Sequence, residues 1–131
     1  MVVKPVSKTL HRGGAFLVAS VAPEDIFTPA DLSDDQRLIG RTTEEFVTKE
    51  VIPLIPDLEQ HKEGLMARIL RKAGQIGLLG EAIPEDYGGA GLDKVSATLL
   101  SEKLSAYGSF AVSHGGHAGI GTIPIVYFGT E

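Results

Sequence analysis

Residues 109–130 contain no Asp, Glu, Lys or Arg, and no other feature restricts the possible folds as much. An uncharged stretch of that length either crosses a membrane or forms helix buried on all sides. A membrane span needs roughly 18 or more consecutive apolar residues, and here His114, Gly115, Gly116, His117, Gly119 and Gly121 break the run. The expectation is therefore a buried helix pair, broken between Gly121 and Pro124, and no integral membrane segment.

Helical patterning also governs the residues before it. Ser33, followed by Asp34, Asp35 and Gln36, offers a capping hydroxyl, first-turn acids and a capping-box glutamine, all of which suit the exposed N–H groups of a helix start. Leu38, Ile39, Phe46, Val47 and Val51 continue that helix until Pro53 and Pro56, which predict its end near Ile52. From about Asp57 to Ile76, Leu65, Ile69, Ala73 and Ile76, with Met66 and Leu70, form an apolar stripe opposite Arg68, Arg71, Lys72 and Gln75. This predicts one amphipathic helix closed by Gly77. The glycines and proline of residues 78–93 predict a long loop. Asp93 caps a third helix through about Tyr107, with Val95, Leu99, Leu100 and Leu104 inward and Gly108 as its stop. Strand signals are nearly absent, so the fold class is all-α. Residues 1–31, broken by Pro5, Gly13, Gly14, Pro23 and Pro29, read as an irregular N-terminal arm, leaving 32–131 as the helical domain.

The chain's 131 residues suffice for one core. Its 12 basic against 17 acidic side chains show no basic stripe, which argues against nucleic acid as a partner. With no cysteine there is neither a disulfide framework nor thiolate chemistry. The first 23 residues carry Lys4, Lys8, His11 and Arg12 with no acid before Glu24, so a mitochondrial presequence and a leader on a cytoplasmic protein are both compatible with them. His114 and His117, three apart, lack the third ligand that zinc needs, so no metal site is expected, and packed histidines or hydrogen bonds across a domain interface are the readings that remain. Glu85 and Asp86 are adjacent carboxylates at a loop tip, where neighbours in sequence do not converge on one substrate.

The run Gly77-Leu78-Leu79-Gly80, then Ile83-Pro84-Glu85-Asp86-Tyr87-Gly88-Gly89-Ala90-Gly91-Leu92, closely resembles the N-terminal helical domain of acyl-CoA dehydrogenases. Ser101-Glu102-Lys103-Leu104 and the segment from Gly119-Ile120-Gly121 to Gly129-Thr130-Glu131 are similar to that family in the same order. The likeness covers about residues 33–131. Ala111-Val112-Ser113-His114-Gly115-Gly116-His117 looks more like the very-long-chain class, and residues 13–32 resemble the leader of bacterial long-chain members.

The resemblance implies a bundle-like helical domain followed, in the family, by a middle β domain and a C-terminal helical domain, usually in a homotetramer. It implies FAD, held mainly by those later domains, and a glutamate base in the C-terminal domain that removes the α-proton while the flavin takes a hydride from the β-carbon. The product is the trans-2-enoyl thioester of fatty-acid β-oxidation, with electron-transferring flavoprotein as acceptor. On that reading no catalytic residue lies in this chain, and the family's flavin-contacting segment is expected just past Glu131. The helix matching Val112 to Ile120 implies a wall of the acyl cavity, with Val112, Ser113, Gly116 and Ile120 as its residues. Medium-chain members carry longer polar side chains at the positions of Val112 and Gly116, so valine and glycine imply a deeper slot for a long acyl chain. The expected location is bacterial cytoplasm, or the mitochondrial matrix in a eukaryote. The rival reading is a stand-alone helical interaction module that uses residues 109–130 as a docking face.

Overall fold

The computed structural model describes residues 13–130, and these fall into two units, one ending at Ser33 and the other starting at Asp34. The basic positions Lys4, Lys8, His11 and Arg12, on which a presequence would depend, lie outside the described residues. The described residues of the first unit form short 3₁₀ turns at Gly13–Leu17, Pro23–Asp25 and Pro29–Asp31. Its last turn is closed by Asp31, whose carboxylate accepts from both the backbone N–H and the hydroxyl of Thr28 at 2.8 and 3.0 Å.

The second unit is built from helices, with no strand among the described residues: α1 (Asp34–Phe46), α2 (Ile55–Glu59), α3 (Leu65–Gln75), α4 (Lys94–Leu104), α5 (Gly108–Gly115) and α6 (Ile123–Phe128). No helix among the described residues is long and apolar enough to cross a membrane. α1 lies mainly against α4, and α5 packs on α3 and α4. Between them sits a core that includes Phe46, Val51, Leu65, Ile69, Leu100, Leu104 and Phe110. The approach of α1 to α4 is close because position 40 is glycine; a Cβ there would come within 2.9 Å of Leu99. Thr43 is fully buried nearby, and its hydroxyl is satisfied by the Ile39 carbonyl at 2.8 Å.

The first helical run ends near Ile52 as predicted, but Pro53 and Pro56 do not stop the helical path there. The chain passes from α1 into a wide π turn at Val47–Val51, a 3₁₀ turn at Ile52–Leu54, and then α2. Both prolines fall in the first two positions of a new helical segment, where no N–H is required, so the helical path changes pitch and continues. The same arrangement recurs at the other end of the chain. A π turn at Gly116–Gly121 precedes Pro124, which sits at the start of α6. A proline ring crowds the carbonyl four residues earlier, and opening the preceding turn relieves that crowding.

The single helix expected from Asp57 to Ile76 is in fact two, α2 and α3. His61 at φ 52° and Gly64 at φ 70° turn the chain left-handed between them. The stripe of Leu65, Ile69 and Ala73 is buried as predicted, but Ile76 and Leu38 are exposed. α4 also ends sooner than predicted, at Leu104, and Gly108 opens α5 instead of closing α4. Asp93 does cap α4: one carboxylate oxygen accepts the N–H groups of Val95 and Ser96 at 2.8 and 3.0 Å, and the other takes the Ser96 hydroxyl at 2.8 Å. The Gln36 amide donates across from α1 to the same carboxylate. Leu100 and Leu104 face the core; Val95 does not.

Candidate functional site

The glycine-rich loop is held together mainly by its own backbone. Gly89 N–H donates to Pro84, Ala90 N–H to Gly80, Gly91 N–H to Ile83 and Leu92 N–H to Glu81, at 2.7–3.1 Å. Gly89 passes so close to Ile83 that a Cβ would lie 2.0 Å from the Ile83 carbonyl oxygen. Gly88 and Gly91 adopt φ of 77° and 54°, which glycine tolerates best. Glu85, Asp86 and Tyr87 are exposed on this frame, the Glu85 side chain lying beside Gly91. At the base of the loop, Glu81 has one carboxylate oxygen shielded from solvent with no hydrogen-bond partner among the described residues. No sequence pattern marks it out.

The expectation that residues 109–130 are buried on all sides does not hold within this chain. Phe110, His114 and Ala118 face inward, whereas Val112 is 75% exposed and Ile120 83% exposed. Val112, Gly116 and Ile120, four residues apart, share this outward side of α5 and the π turn. Above Gly116, and above its neighbours Gly115 and Gly119, a Cβ would meet nothing within 4 Å. Further along, Ile125, Tyr127 and Phe128 extend the exposed apolar surface. Ser113 stands at the edge of the face, half-buried, and its hydroxyl donates to the Ser109 carbonyl at 2.9 Å. Glycine at 121 has a backbone cause, because a Cβ there would come within 2.9 Å of the Gly116 carbonyl oxygen across the wide turn. The Thr122 hydroxyl satisfies the His117 carbonyl at 2.7 Å in the same turn.

The two histidines are placed quite differently. His114 is 3% exposed, with Nε2 2.6 Å from the Leu78 carbonyl oxygen and its ring tilted against Phe110. His117 is exposed. Among the described residues, no group of three or more His, Asp or Glu side chains is arranged to hold a metal ion. A depression lined by Arg41, Glu44, Glu45, Thr48 and Lys49 is charged and spanned in part by the Lys49–Glu45 ion pair; none of the four wall candidates lines it. What the α5 face offers chemically is an apolar, uncharged surface with bare backbone at its centre.

The family described as acyl-CoA dehydrogenase, N-terminal domain, matches residues 33–131. A probable acyl-CoA dehydrogenase of Bacillus subtilis (strain 168) is 47% identical over 122 residues, covering 93% of this chain and 20% of that protein. A second from the same organism, probable acyl-CoA dehydrogenase YngJ, is 34% identical over 102 residues, covering 77% of this chain and 27% of its own length. Among solved structures, the acyl-CoA dehydrogenase complexed with FAD from Bacillus anthracis superimposes with a TM-score of 0.81 at 50% identity, over 91% of this chain and 21% of that one. The chain thus spans about a fifth of the length of the relative with which it shares 47% identity.

Proposed function

The chain belongs to the acyl-CoA dehydrogenase family through its N-terminal domain, and we propose that the protein carrying it oxidises a long-chain acyl-CoA to the trans-2-enoyl-CoA. The observation that carries this reading is the outward face of α5. Val112, Gly116 and Ile120 present apolar surface with open space over the glycine, and no charged side chain occurs anywhere in residues 109–130. Along that face the chain's own residues would exclude water from the alkyl tail. Burial of each methylene contributes about 0.8 kcal/mol, so a face that leaves room at Gly116 favours substrates long enough to reach it. Ser113 would border the tail with its hydroxyl hydrogen already donated to the Ser109 carbonyl.

The cofactor under this proposal is FAD, present in the Bacillus anthracis neighbour. The α5 face does not suit it: there is no cation to meet a pyrophosphate, and the Ser113 hydroxyl is engaged. FAD, bound by other parts of the protein, would supply hydride acceptance. The same reading extends to a role in β-oxidation, electron-transferring flavoprotein as acceptor, a homo-oligomer and a cytoplasmic location. The exposed Ile125, Tyr127 and Phe128 are the observation that favours the rival, an interaction module without catalysis. One titration separates the two. The protein is purified, its flavin absorbance recorded, and acyl-CoAs of increasing chain length are added without an electron acceptor. Bleaching that strengthens with long chains is expected. Absence of flavin, or a flavin that no acyl-CoA bleaches, would overturn the proposal.

A further inference from the structure

α5 and its π turn carry two rows of residues with four-residue spacing. Phe110, His114 and Ala118 are buried, at 0, 3 and 2% exposure, and Val112, Gly116 and Ile120 face out. The rows are offset by two residues, close to opposite sides of a helix. Whatever fixes the rotation of the inner row therefore fixes the aim of the outer one. Phe110 and Ala118 make apolar contacts, which have no preferred direction. His114 differs, because its Nε2 meets the Leu78 carbonyl 36 residues away in sequence at 2.6 Å. A carbonyl oxygen only accepts, so Nε2 carries the hydrogen and donates.

The acceptor is itself held in place. Leu78 follows Gly77, which turns left-handed at φ 85°; its N–H donates to Ala73 at 3.0 Å, and its side chain is buried in the core. Phe110, lying between Phe46 and His114 with ring centroids 6.1 and 6.3 Å apart and both ring pairs tilted, limits the rotation of the imidazole. We infer that His114 is a positioning residue: its hydrogen bond to the start of the glycine loop sets the rotation of α5 and so the aim of Val112, Gly116 and Ile120. The consequence for acyl-chain selection rests on the activity proposed above; the anchoring itself does not.

The test compares His114→Leu, which keeps bulk but loses the donor, with His114→Gln, which retains an N–H donor, in the intact flavin-loaded protein. Loss of one net hydrogen bond corresponds to roughly a tenfold change in an opening equilibrium. Amide hydrogen exchange across residues 111–121 should therefore quicken about tenfold in His114→Leu and stay within about threefold of wild type in His114→Gln. The ratio of kcat/KM for long against short acyl-CoA should fall in the leucine variant and recover in the glutamine variant. Wild-type-like exchange and an unchanged ratio in His114→Leu would overturn the inference, as would identical behaviour of the two variants. Should the leucine variant fail to fold, the imidazole resonances of the wild type decide: a slowly exchanging Nε2–H supports the anchor, and a hydrogen on Nδ1 alone overturns it. A wild type that oxidises no acyl-CoA would sink the activity reading, while hydrogen exchange would still decide the anchoring.

Discussion

Replacing Gly89 with alanine would push a methyl group into the backbone of Ile83. The new Cβ would lie 2.0 Å from the Ile83 carbonyl oxygen, 2.4 Å from its Cβ and 2.5 Å from its carbonyl carbon. None of these atoms is the far end of a flexible side chain, so the loop itself must open, by at least 1.0 Å to reach the 3.0 Å lower bound of real Cβ contacts. Two hydrogen bonds are exposed to that movement, Gly91 N–H to Ile83 at 2.9 Å and Gly89 N–H to Pro84 at 3.1 Å. With about 1 kcal/mol for each bond and about 1–3 kcal/mol for overpacking, Gly89→Ala should cost about 3–5 kcal/mol. For a domain of this size that is a fall in Tm of more than about 10 °C. Gly115→Ala is the matched control, because a Cβ there meets nothing within 4 Å and the backbone is helical. It should stabilise by about 0.5–1 kcal/mol through helix propensity. Urea unfolding followed by circular dichroism, with calorimetry alongside, measures both. A Gly89→Ala protein within about 1 kcal/mol of wild type would refute the reasoning that main-chain proximity, rather than side-chain packing, holds this loop.

Gly116→Glu should lower the ratio of kcat/KM for long against short acyl-CoA by about tenfold or more, since its side chain would fill space now open; an unchanged ratio in a folded, flavin-loaded variant would remove Gly116 from the acyl wall. Asp93→Ala should cost about 1 kcal/mol at neutral pH through loss of the cap on α4. The Asp93 carboxyl is held below its ordinary value, chiefly by the Ser96 backbone N–H and then its hydroxyl; desolvation opposes this, and Gln36 and Val95 add lesser lowering. Its contribution is therefore complete above the ordinary carboxylate value and lost as pH falls through the depressed one, so wild type and variant should converge in acid; a gap that widens on acidification would contradict this. The chain studied alone should self-associate through the exposed Val112, Ile120, Ile125, Tyr127 and Phe128, and sedimentation as a monomer at high concentration without hydrophobic-dye binding would count against that.

Local chemistry was the legible part of the sequence. Asp93 announces a cap because its partners, Val95 and Ser96, lie two and three residues away. The Leu65, Ile69 and Ala73 stripe is likewise contained in one helix. The errors came where a residue type has two uses. Pro53 and Pro56 can end a helix or begin one, and Gly108 can close α4 or open α5; the sequence around each suits both. His61 is one of the infrequent non-glycine residues in left-handed backbone, and no pattern foretold the break it makes. The wall candidates Val112, Gly116 and Ile120 were readable from family likeness, but their shared exposure was not, because absence of charge fits burial and an unpartnered face equally well. His114 was legible as a packed or hydrogen-bonded histidine, but its acceptor was not, since Leu78 lies across the fold.

The loop between α3 and α4 owes its shape to hydrogen bonds and close approaches along its own main chain, with the side chains of Asp86 and Tyr87 pointing away. It is therefore a natural attachment point. This chain has no cysteine, so Asp86→Cys would introduce one addressable thiol that a fluorophore or spin label could occupy without disturbing the frame beneath it. A second label at the exposed Tyr127, outside the proposed wall residues, would turn the separation of loop and α6 into a distance read in solution, with and without ligand.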